Sequence, residues 1–219
     1  RADGPGACRI SKFSTNSAET ICMDAEGIPL CDDHQVREDA ERWDARYAGR
    51  VTGEAAMPAG LTGIEVPPVG RCLDVACGLG EQSLWAASLG FEVIALDASA
   101  VAIAALRRAG EERGLSGRID ARVVDLDGGL PEWTSGSFDL VICQRFRDVR
   151  LYPQLAGALV PGGLLLVTVL SQVGAAEPGP FHAPPGELGE RFAASGLEVL
   201  RDEEGDGEAT FVGRRSRDD

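Results

Sequence analysis

Short apolar runs bounded by glycine and acidic residues alternate along this chain with stretches whose apolar positions recur every three or four residues. That alternation predicts strands and helices in turn. Residues 72–76, 91–96, 119–124, 137–143 and 164–170 are the apolar runs, and their aliphatic content suits strands buried on both faces of a parallel sheet. Helical spacing falls at residues 81–89, 99–113, 150–159 and 185–195, with Ser99 placed as an N-cap. Upstream, Val36, Ala40, Trp43 and Tyr47 recur at spacings of four, three and four, which predicts an amphipathic helix over residues 35–50. Residues 52–70 hold three prolines and four glycines and read as a linker. Two final runs, 197–204 and 209–214, flank Gly205-Asp206-Gly207 and predict a closing hairpin. Alternating strands and helices predict an α/β fold, and 219 residues without internal repeats fit one such domain.

Residues 71–99 carry the chemistry. An apolar strand ends in a turn containing Gly78 and Gly80, a helix follows, and a second strand ends at Asp97, 17 residues after Gly80. An acid there suits a pair of ribose hydroxyls, so the segment describes a nucleotide pocket. A dinucleotide fingerprint requires G-x-G-x-x-G. Counted from Gly78 its third glycine falls on Ser83, and counted from Ala76 it falls on Glu81. What stands instead is acid-x-Ala-x-Gly-x-Gly, from Asp74 to Gly80.

That pattern resembles motif I of the class I S-adenosylmethionine-dependent methyltransferases, with Ala76 where the family usually has glycine. Further elements follow in family order: Asp125 after the third strand, Leu130-Pro131, the run Phe138-Asp139-Leu140-Val141, and Leu159-Val160-Pro161-Gly162-Gly163 before the fifth strand. Trp43-Asp44-Ala45-Arg46-Tyr47 is similar to a segment preceding the core in small-molecule members. The resemblance covers residues 43–213. It implies a Rossmann-like sandwich: a seven-stranded, mostly parallel sheet whose last strand is antiparallel, with helices on both faces. It implies S-adenosyl-L-methionine as cofactor and S-adenosyl-L-homocysteine as product. The methionine part would lie at Asp74, Ala76, Cys77, Gly78 and Gly80, the ribose at Asp97 and Ala98, and adenine near Asp125 and Leu126. Cys143 would border the pocket and Tyr47 would cap it.

Methyl transfer by in-line displacement needs alignment rather than a nucleophilic side chain. Members that methylate exocyclic amines or glutamine amides carry an acid-or-Asn-Pro-Pro-aromatic tetrad after the fourth strand; here that turn is Cys143-Gln144-Arg145-Phe146. A small anionic or polar acceptor is expected instead, with Arg145 as fork donor. Arg147 and Arg150 read as surface charges. The irregular loop 174–186 is similar in layout to the tellurite-resistance branch of the family, and its His182 is a candidate proton acceptor. Arg145 and His182 are thus the candidate catalytic residues.

The expected organisation is a leader over residues 1–34, with Met23 as an alternative start, a capping helix and linker over 35–70, and the cofactor-binding domain over 71–219. A net charge of −14 opposes nucleic acid or an anionic membrane as main partner. Six cysteines include no C-x-x-C pair, which points to reduced thiols, a cytoplasmic setting and no metal. Lys12, the only lysine, leaves the domain core without a lysine nucleophile. A monomer or homodimer is expected. Two other readings stay open: an NAD-binding oxidoreductase, and a non-catalytic S-adenosylmethionine-binding protein.

Overall fold

Parallel strands buried on both faces need helices above and below, and two apolar clusters divide along that line. The computed structural model describes residues 33–217. Met23 and all but the last two residues of the expected leader lie outside them. Helix α1 spans Asp33–Tyr47, followed by β1 (Arg71–Val75), α2 (Glu81–Ser88), β2 (Glu92–Asp97), α3 (Ala100–Glu112), β3 (Ile119–Val123) and β4 (Phe138–Gln144). Then come α4 (Tyr152–Gly157), β5 (Leu159–Leu170), α5 (Glu187–Phe192), β6 (Leu197–Gly205) and β7 (Glu208–Arg215). The sheet order is β3-β2-β1-β4-β5-β7-β6. Strands β1 to β5 run parallel, and β7 lies antiparallel between β5 and β6, as expected.

Alternation along each strand assigns the faces. Leu73, Val75, Val141, Cys143, Leu165 and Val167 pack with Tyr152 and Leu155 of α4 and Leu188 and Phe192 of α5. Cys72, Val93, Leu140, Ile142 and Leu166 pack with Leu84 and Trp85 of α2 and Ile103 and Leu106 of α3. Asp74 shares the α2 face. The β6–β7 hairpin turns on Asp206 (φ 51°) and Gly207 (φ 81°); two consecutive positive φ angles match the twist of the flanking strands, and Asp-Gly adopts them readily.

Several boundaries differ from the sequence reading: α1 spans 33–47 instead of 35–50, and α5 spans 187–192 instead of 185–195. The helix expected over 150–159, α4, stops at Gly157, and Leu159 already belongs to β5, so Pro161-Gly162-Gly163 lies inside a strand instead of before it. Phe138 pairs with Leu159 but Leu140 pairs with Leu164. The extra residues are absorbed where Gly162 takes φ +81° and where a Cβ on Gly163 would sit 2.9 Å from the Phe138 carbonyl oxygen. The linker is also fastened down: Arg201 donates to the Gly60 and Thr62 carbonyls, and Leu61 is buried.

Because β1 to β5 are parallel, their carboxyl ends share one edge, where this architecture places ligands. Among the described residues, no helix is long and apolar enough to cross a membrane.

Gly80, the N-cap of α2, has φ +83°, and a Cβ there would fall inside the Leu106 side chain. Gly80→Ala should lower unfolding free energy by about 2–4 kcal/mol, the sum of left-handed strain and overpacking. Ala76, with φ +53°, should respond oppositely, Ala76→Gly gaining about 0.5–1 kcal/mol. Urea denaturation of both variants measures the contrast.

Candidate cofactor and acceptor site

The turn after β1 is held by backbone hydrogen bonds and by one carboxylate. Cys77 N–H donates to the Leu96 carbonyl at 3.0 Å, and Gly80 N–H to Cys77 at 2.9 Å. Asp97, at the end of β2, accepts Gly78 N–H on Oδ2 and Ser99 N–H on Oδ1, both at 2.8 Å. It therefore ties the glycine turn to the start of α3. Each oxygen keeps a further lone pair, so the same carboxylate can still accept two hydroxyls. Burial raises its pKa against those two backbone bonds, and nearby Asp44 raises it further.

Asp74 is buried under α2, and its Oδ2 accepts Ser83 Oγ–H at 2.5 Å. Burial pushes its pKa up to about 7, with Ser83 opposing the shift and Asp97 and Glu81 adding to it. Such a carboxyl gains by meeting an ammonium group, which favours its ionised form. The thiols go the other way. Burial pushes Cys77 up, and Cys143 to about 12, so neither is a thiolate nucleophile at neutral pH. Cys143 Sγ lies 3.8 Å from the Phe146 carbonyl oxygen.

Helix α1 contributes the other wall. Tyr47 Oη lies 2.9 Å from where a Cβ on Gly78 would sit, so the phenol covers the turn. Its pKa is raised by burial and by Asp97. Trp43 stacks on Tyr47 with ring centroids 5.9 Å apart. One residue between them went unassigned in the sequence: Asp44, whose Oδ1 accepts Ser99 Oγ–H at 2.5 Å and Val101 N–H at 3.1 Å. Its signal was its place inside the Trp43–Tyr47 segment.

At the adenine end, Ala98 is half-buried and follows Asp97 directly. Asp125 is exposed, and its Oδ1 accepts Asp127 N–H at 3.0 Å, which shapes the turn after β3. Leu126 is buried and borders a cavity of about 190 Å³ with Asp148, Leu151 and Gln154.

On the acceptor side the two candidate catalytic residues have partners of their own. Arg145 takes φ 57° and forks onto Glu208 Oε1 at 3.0 and 2.8 Å. His182 Nδ1 accepts Gly179 N–H at 2.9 Å within the loop, so the neutral ring carries its proton on Nε2, which donates instead of taking a proton as the sequence led one to expect. The arginine that packs inward is Arg147, expected as a surface charge. Its Nε and Nη2 grip Glu187, which also accepts Tyr152 O–H at 3.1 Å. The Arg147 bonds lower the Glu187 pKa despite burial. Glu204 of β6 closes the loop at both roots, accepting Ser171 Oγ–H at 2.5 Å and Gly186 N–H at 2.9 Å.

Residues 72–163 match the family described as methyltransferase domain, and they hold the glycine turn, Asp97 and the strand β4 edge. Over that stretch the chain is similar to methyltransferase domains. The ribosomal protein L11 methyltransferase of Pelotomaculum thermopropionicum is 33% identical over 144 residues, 64% of this chain and 42% of that protein. The chain thus spans less than half the length of that relative. In fold, the domain is similar to geranyl diphosphate C-methyltransferase from Streptomyces coelicolor A3(2), with a TM-score of 0.65 and 11% identity over 85% of this chain and 100% of the other. TehB from Haemophilus influenzae gives a TM-score of 0.61 and 20% identity over 80% of this chain and 67% of that one.

The raised pKa of Asp74 has two consequences. The folded state retains this proton longer than the unfolded chain, so unliganded stability falls as pH rises from the ordinary carboxylate range through about 7. A ligand ammonium requires the ionised form, so affinity for S-adenosylhomocysteine should fall about tenfold from about pH 8 to about pH 6. Calorimetric titration across that range should show the fall, and Asp74→Asn should bind more weakly with a flat profile.

Proposed function

We propose that this chain is an S-adenosylmethionine-dependent methyltransferase acting on a small polar or anionic acceptor. The observation that carries the reading is the Asp97 carboxylate, which fixes the glycine turn and α3 while keeping acceptor capacity for a ribose. Asp74, Cys77 and Gly78 hold the methionine part, with Ala76 and Gly80 shaping the turn. Asp97 and Ala98 hold the ribose, Asp125 and Leu126 border adenine, and Cys143 closes the pocket floor with its thiol neutral. When bound, the cofactor supplies an electrophilic methyl group on a sulfonium. The chain's own residues supply alignment and exclusion of water, and alignment alone accounts for about 7–11 kcal/mol of such barriers. Tyr47 covers the turn from above. The roots of the loop 172–185 are pinned by Glu204, which leaves its centre, with exposed Phe181 and half-buried His182, to border the acceptor.

Support for a small acceptor comes from the chain itself. A net charge of −14 repels polyanions, while Arg147, held rigid by Glu187, keeps guanidinium N–H groups beyond those its fork uses. His182 Nε2–H donates a hydrogen bond towards the acceptor, because its Nδ1 lone pair is taken by Gly179 N–H, and Arg145 orients the acceptor once it exchanges Glu208 for it. Free, buried Cys72, Cys77 and Cys143 accord with a reducing, cytoplasmic setting.

Isothermal titration with S-adenosylhomocysteine, and separately with NAD, tests the cofactor. The first should bind in the micromolar range and the second should not. Asp97→Ala should weaken binding about tenfold or more, equivalent to roughly 1.4 kcal/mol. Selective NAD binding would overturn the assignment in favour of an oxidoreductase. Cofactor binding without turnover over a panel of small anionic acceptors would instead favour a non-catalytic role.

A further inference from the structure

Asp44 and Tyr47 stand three residues apart on α1 and so leave the same face of the helix. Tyr47 rests over Gly78. Asp44 rests on Ser99 and Val101 at the first turn of α3, 55 residues away along the chain from Ser99. Gly78 and Ser99 are the two residues whose N–H groups Asp97 gathers. A closed circuit results: Asp97 to Ser99, Ser99 to Asp44, one turn of α1 to Tyr47, Tyr47 to Gly78, and Gly78 back to Asp97.

Helix capping alone does not account for Asp44. The N-cap of α3 is already occupied by Ser99, whose Oγ accepts Ala102 N–H at 3.1 Å. Asp44 adds a second acceptor from a different element, and it brings a like charge towards Asp97. The helix N-terminus offsets part of that repulsion. What the contact provides in addition is attachment: it fixes the rotation and height of α1 at the point where Tyr47 meets the glycine turn.

We propose that Asp44 is a positioning residue for cofactor binding, seating α1 so that Tyr47 closes the methionine end of the pocket while Ser99 is held at the ribose end. This rests on the S-adenosylmethionine reading given above. Asp44 touches no reacting atom and acts through Ser99 and Tyr47.

S-adenosylhomocysteine titration and thermal melting of the wild type, Asp44→Ala, Asp44→Asn, Tyr47→Ala and the double variant Asp44→Ala/Tyr47→Ala separate this role from a merely structural one. Asp44→Ala should weaken binding about tenfold, and Asp44→Asn, which retains the accepting Oδ1, should stay within about twofold. On the Tyr47→Ala background, Asp44→Ala should cost less than about threefold, because residues acting through one another are not additive. Ser99→Gly removes the hydroxyl from the opposite side while glycine still suits an N-cap, and should reproduce the Asp44→Ala loss. An unchanged dissociation constant in Asp44→Ala, or an equal loss with and without Tyr47, would overturn the proposal. Wild-type protein that binds no S-adenosylhomocysteine would instead overturn the cofactor reading on which it stands.

Discussion

The site depends on one carboxylate with two backbone donors. Asp97 sits at the end of a buried parallel strand and gathers the N–H groups of Gly78 and Ser99, so two chain segments that would otherwise meet only through packing are joined by charge-assisted bonds. Burial makes such a carboxylate costly and its hydrogen bonds correspondingly strong. A turn built this way is preorganised: the carboxylate that holds it keeps lone pairs free for further donors.

Around that point, polar groups at the carboxyl edge are paired locally instead of being left to solvent. Arg145 meets Glu208, Arg147 meets Glu187, and Arg150 meets Asp148. The acidic excess of the chain therefore does not leave these arginines as a loose cationic patch. Arg145–Glu208 is an exposed pair that contributes little to stability and exchanges easily. Arg147–Glu187 is mostly buried and further held by Tyr152, so it acts as a fixed strut between the turn after β4 and helix α5.

Much of this architecture was legible in the sequence because it rests on local patterns. Apolar runs of strand length, helical spacing between them and an Asp-Gly turn in the last hairpin determined seven strands and the main helices by burial periodicity and turn chemistry. The glycine turn and Asp97 were legible for the same reason: a strand ending in glycines that take positive φ, followed by a helix and an acid, is a short-range arrangement. Boundaries were less so. A Pro-Gly-Gly sequence normally ends an element, but here β4 pairs across it, and only that partner shows that β5 continues.

What the tertiary structure alone decided are contacts between residues far apart in the chain. Nothing near Asp44 indicates that its carboxylate reaches the start of α3, because Ser99 arrives there only after the β1-α2-β2 unit has folded. Arg147 looks like a solvated helix charge until α5 brings Glu187 against it, and Arg145 looks unpaired until β7 inserts beside β5 and presents Glu208. His182 could be assigned no tautomer until Gly179 turned its N–H towards Nδ1. Periodicity and turn propensity act over a few residues and so are written in the sequence. Charge pairing across elements depends on which side chains the completed sheet brings within hydrogen-bond reach, and that is set by topology.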